Sequence, residues 1–142
     1  MDDNELQKLL DDIAIYDGEV DNQGMYDVVS ALKESDQQRT AVPFLFKWFE
    51  QHLDDEVGSP GPFVHFIEES PDYHETLLAS LKRCPAPITV WMANRLANGT
   101  EGEDRERWLD AMKGVAADLK ASVVAKQTAR EFIAFQLEPR QS

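Results

Sequence analysis

Apolar residues recur at intervals of three and four rather than two, a spacing that reads as helix almost throughout the chain. Leu6, Leu9, Leu10, Ile13 and Ala14 form the first stripe, with Asp2, Asp3 and Glu5 at the end where a helix dipole favours negative charge. Met25, Val28, Val29 and Leu32 form the second, after a turn-rich segment from Asp17-Gly18 to Gly24. Two antiparallel helices joined by a short loop are expected. Thr40 reads as the N-cap of a third helix, which puts Pro43 in a first turn where its missing N–H is harmless. Val42, Leu45, Phe46, Phe49 and Leu53 cover one face of that helix and Phe44 and Trp48 a second, so it should be covered on two sides.

The third helix ends in Asp54-Asp55-Glu56, and Gly58-Ser59-Pro60-Gly61-Pro62 breaks the chain. Ser59 can cap a short fourth helix carrying Phe63, Val64, Phe66 and Ile67, with Pro60 and Pro62 in its first turn. Ser70-Pro71-Asp72 repeats the cap-then-proline signature and predicts a fifth helix with Tyr73, Leu77, Leu78 and Leu81 inward. Cys84-Pro85-Ala86-Pro87 stops it. A sixth helix has Ile88, Trp91, Met92 and Leu96 inward, with Arg95 on the same stripe, and closes at Asn98-Gly99. Trp108, Leu109, Met112 and Val115 mark a seventh, and Val124, Phe132, Ile133, Phe135 and Leu137 a last one before Pro139. The expected fold is all-α: seven to eight short helices in stacked antiparallel hairpins, resembling a HEAT or armadillo α-α superhelix, in one domain over residues 1–142.

Catalytic signatures are missing from the sequence. There is no G-x-x-x-x-G-K-[ST] and no G-x-G-x-x-G after a strand, and Gly58 and Gly61 belong to a proline-rich break. Cys84 sits between Arg83 and Pro85 at a helix end with no pattern marking a base, so it reads as a small turn residue. His65 and Glu68 share an i, i+3 spacing, but a bundle metal site needs a second such motif, and a helix-surface pair is the preferred reading. Asp17 to Gly24 places carboxylates at alternate positions, yet lacks the glycine at position six and has Val28 where a calcium loop has glutamate. No enzyme activity, cofactor or metal is expected. Arg95 on an inward stripe needs an acid, Glu68 or Glu69, and reads as an internal clamp or, alternatively, as part of a binding groove.

Charge supplies the functional lead. The 142 residues hold 27 Asp and Glu against 14 Lys and Arg, a net charge of -13 that excludes direct binding to a phosphate backbone. The acidity is one-sided: residues 1–75 carry 19 acids and four bases, and residues 76–142 carry eight acids and ten bases. A solvated acidic surface explains part of this. A docking face for a basic protein explains its direction, because such a field accelerates encounter and selects a partner. The candidate contacts are Asp17, Glu19, Asp21, Asp54, Asp55, Glu56, Glu69 and Asp72, with Trp48, the aromatic most expected to be partly exposed, and Tyr73 as anchors. The acidic start Met1-Asp2-Asp3-Asn4-Glu5 is unlike a basic leader, the longest apolar runs fall far short of the ~20 residues of a membrane span, and one cysteine permits no internal disulfide. A cytoplasmic protein without membrane contact is expected.

The run from Gly58 through Phe63-Val64-His65-Phe66-Ile67-Glu68, then Tyr73, Leu77, Leu78 and Ser80-Leu81, then Val90-Trp91-Met92-Ala93-Asn94-Arg95-Leu96-Ala97-Asn98, resembles small all-α immunity proteins of bacterial polymorphic toxin systems. These are the cognate inhibitors encoded beside contact-dependent inhibition or Rhs-type toxins. The resemblance spans about residues 24–116. It implies neutralisation by tight binding to a cognate toxin C-terminal domain. Many such toxins are nucleases with basic substrate surfaces, which a carboxylate-rich face would meet as a phosphate mimic. A general α-helical adaptor without a toxin partner is the alternative.

Overall fold

The computed structural model describes residues 1–36, 38–55 and 61–138. The class is all-α, with 75% helix and 3% strand. The chain divides into two compact units, residues 1–76 and 77–142.

In the first unit α1 (Asp3–Asp11) is capped by Asp2, whose Oδ1 accepts the Glu5 N–H at 2.8 Å, and it buries Leu6 and Leu10. The helix stops before Ile13 and Ala14, so the first stripe is shorter than its spacing suggests. The following turn-rich segment is a β-hairpin, β1 (Ile15–Tyr16) against β2 (Glu19–Val20), with Ile15 opposite Val20 and Tyr16 opposite Glu19. Asp17 and Gly18 turn it with φ of 52° and 79°, the two left-handed residues that a two-residue hairpin loop requires.

Helix α2 (Asn22–Glu34) buries Met25, Val28, Val29 and Leu32, the four residues of its predicted stripe. Helix α3 (Gln38–Gln51) begins two residues before Thr40, so Thr40 is not its cap and Pro43 lies inside it, with no N–H for the carbonyl of Arg39. It is covered on two sides as expected: Ala41, Val42, Leu45, Phe46, Trp48 and Phe49 are all buried. Helix α4 (Gly61–Glu69) starts with Pro62 in its first turn and buries Pro62, Phe63, Val64, Phe66 and Ile67. The expected Ser59 cap and Pro60 lie outside the described residues.

Helix α5 (Tyr73–Arg83) carries the chain from the first unit into the second. It starts later than Ser70-Pro71 predicts, because Asp72 adopts a left-handed φ of 61° and makes the segment a turn. Helix α6 (Pro87–Asn98) opens where Thr89 Oγ1 accepts the Ala86 N–H at 2.9 Å and donates to the Ala86 carbonyl at 3.0 Å. Helices α6, α7 (Gly102–Ala117) and α8 (Val123–Leu137) contact one another pairwise to form the core of the second unit. Helix α7 buries Trp108, Leu109, Met112 and Val115, as its spacing predicts.

Helix α8 departs from its predicted face. It buries Ala125, Ala129 and Gln136; of the predicted face Phe132 and Ile133 are half-buried, whereas Val124, Phe135 and Leu137 are 48%, 63% and 58% exposed. The face against α6 and α7 is thus lined by small side chains, Ala125 and Ala129, with Gln136. No helix among the described residues is long and apolar enough to cross a membrane.

Candidate functional site

The site is built from carboxylates on the turns and helix ends of the first unit. Asp17 and Glu19 are exposed on the hairpin, whose strand pairing fixes their position, and Asp21 stands half-buried before α2. After α3, Asp54 is exposed and Asp55 half-buried, accepting a hydrogen bond from His52 Nδ1 at 2.9 Å. The His52 ring in turn stacks on Trp48, centroids 4.3 Å apart and planes at 33°. Trp48, His52 and Asp55 thus anchor the turn after α3 to the core. Glu56 lies outside the described residues.

The acids after α4 have partners. Glu69 is 3.5 Å from Lys33 Nζ and Asp72 is 3.8 Å from Arg39 Nη2. These pairs are more than half exposed, so each adds little stability while partly cancelling local charge. Asp72 and Tyr73 also line a notch of about 150 Å³ with Arg39, Val42 and Ser70.

Helix packing separates these acids into two groups. Trp48 and Phe63 meet edge to face at 5.1 Å, placing the C-terminal half of α3 beside the start of α4. Arg39 with Asp72, and Lys33 with Glu69, place the start of α3, the end of α2 and the end of α4 together. Helices α3 and α4 are therefore antiparallel, and α2 runs with α4. The hairpin acids before α2, with Asp54 and Asp55 after α3, belong to one end of the unit. Glu69, Asp72 and Tyr73 belong to the other, about 20 Å away for a 13-residue helix. Two of the unit's four bases, Lys33 and Arg39, are paired with Glu69 and Asp72 at the second end.

Two aromatic anchors and the clamp need correction. Trp48 is 2% exposed, enclosed by Phe49, Phe63 and His52, because α3 is the central apolar helix and buries its second face. It supports the site from below and presents no ring to a partner. Tyr73, 9% exposed with its ring edge-on to His74, offers only a margin of surface. Arg95 is exposed, its guanidinium 5.5 Å from the Trp91 ring centre, and is not a buried clamp. The buried arc of α6 is centred on Ala93, so Trp91 and Arg95, two residues to either side of it, fall on the opposite face, and the inward polar residues are Thr89 and Asn94.

Sequence reasoning missed the residue that Asn94 meets. Gln136 Nε2 donates to Asn94 Oδ1 and Asn98 Oδ1, while Arg105 Nη2 donates to the Gln136 carbonyl and side-chain oxygens at 3.0 and 3.1 Å. Only the amphipathic break at Gln136 between Phe135 and Leu137 could have signalled it. His65 is exposed on α4, and among the described residues no three His, Cys, Asp or Glu side chains converge to hold a metal ion. Comparison with protein-family models, with curated proteins and with solved structures finds no match to the chain.

Proposed function

We propose that the protein binds and neutralises a cationic toxin domain, with the acidic first unit as its contact surface. One observation carries this reading: the charge boundary and the structural boundary coincide. Residues 1–76 form one compact unit with 19 acids and four bases, and residues 77–142 form another with eight acids and ten bases. Acidity that served solubility alone would gain nothing from confinement to one unit. Confined, it creates a field that steers a positively charged partner and repels polyanions.

A nuclease is the favoured partner, since its substrate groove must attract phosphates and would accept spaced carboxylates in their place. The expected setting is bacterial and cytoplasmic, with the protein acting as the immunity partner of a contact-dependent or Rhs-type toxin. Stacking of its helical hairpins in a HEAT- or armadillo-like manner would present the hairpin acids with Asp54 and Asp55 as one rim. Co-expression with the toxin C-terminal domain encoded immediately upstream tests the proposal. Restored growth supports it; soluble protein that fails to restore growth overturns it.

A further inference from the structure

We infer that the second unit carries a self-docking face through which two copies of this chain pair. Its hole is a groove of about 230 Å³ between α5 and α7, floored by Leu78, Leu81, Ala111 and Val115. This is below the roughly 300 Å³ at which drug-sized ligand pockets begin, and it suits an aliphatic side chain. Gly114 forms part of the wall. It lies inside a 16-residue helix, and an added Cβ would meet no atom within 4 Å. Neither crowding nor backbone geometry requires glycine there, although it costs about 1 kcal/mol relative to alanine in a helix. What the glycine does is leave the groove open.

The knob is next to the hole. Asp118, which lines the groove, begins a turn closed by the Ala121 N–H on the Asp118 carbonyl at 3.3 Å and by the Lys120 N–H on Asp118 Oδ1 at 2.8 Å. Leu119 stands at the second position of that turn, 94% exposed. A fixed, fully solvated leucine beside an apolar groove is self-complementary: a two-fold axis places each Leu119 in the groove of the other copy. The rim charges follow the same symmetry. Asp110 and Asp118 line the α7 wall and Lys82 the α5 wall, so a two-fold axis running along the groove sets each acidic wall opposite a lysine of the other copy. The face belongs to the unit with eight acids and ten bases, where two copies approach without the repulsion of the acidic unit.

Sedimentation equilibrium of the full chain at physiological salt tests this, with helical circular dichroism as the folding control. The wild type should form a dimer that does not grow further. Leu119→Asp, at an exposed turn, should raise the dimer Kd by about tenfold or more. Gly114→Gln should do the same while leaving the monomer as stable or more so, because it fills the hole and improves the helix. A wild-type monomer up to about 1 mM, a dimer indifferent to both substitutions, or growth into longer chains would each overturn the inference.

Discussion

Gln136 and Asn94, 42 residues apart in sequence, are joined inside the second unit by a 2.8 Å hydrogen bond from Nε2 to Oδ1. Both are buried, at 7% and 8% exposure, and Arg105 holds the Gln136 oxygen from the other side. Gln136→Leu should therefore destabilise the protein by about 1–3 kcal/mol, the cost of leaving buried polar partners unmet. Urea unfolding followed by circular dichroism measures it. Adding Asn94→Leu should cost less than the sum of the single substitutions, and strict additivity would show that the two amides are not coupled.

Trp48 separates stability from binding. It is buried against Phe63 and His52, so Trp48→Ala should cost about 3–5 kcal/mol, whereas Phe135→Ala on the exposed side of α8 should stay within about 0.5 kcal/mol. Denaturant midpoints provide the comparison. A Trp48→Ala protein of unchanged stability with weakened partner binding would restore Trp48 as a surface anchor.

The hairpin that carries Asp17 and Glu19 depends on its turn. Gly18 has φ of 79°, and a β-branched side chain there is strained by about 1–2 kcal/mol. Gly18→Val should release the Asp21 amide, which donates to the Ala14 carbonyl at 2.8 Å across the hairpin, to faster hydrogen exchange. Unchanged protection would mean that the strands do not need this turn.

The residues that were legible in the sequence are those whose burial follows from their own helix. Met25, Val28, Val29 and Leu32 in α2, and Trp108, Leu109, Met112 and Val115 in α7, repeat so regularly that only one face can turn inward. Helix α8 is less legible because its buried face carries Ala125, Ala129 and Gln136, which an apolar periodicity does not mark. The hairpin was read only as a turn, although Asp17-Gly18 is the strongest short signal for one. The site was legible as a charge census and as exposed acids. Its separation into two ends was not, since it follows from the antiparallel course of α3 and α4, which Trp48–Phe63 and Arg39–Asp72 reveal.

That separation yields its own prediction. Replacing Asp17, Asp21 and Asp54 by lysine should slow association with the toxin domain more than replacing Glu69 and Asp72, because Lys33 and Arg39 already offset the latter pair. Stopped-flow association at matched stability distinguishes them. A larger effect from Glu69 and Asp72 would move the contact to the other end of the unit.

The most direct test of an acidic docking unit is the rate at which the protein associates with that toxin domain as salt is raised. From low to physiological ionic strength the rate constant should fall by about tenfold or more, and the Asp17, Asp21 and Asp54 reversal should flatten the dependence. A rate constant that stays the same across that range would contradict electrostatic docking by the first unit.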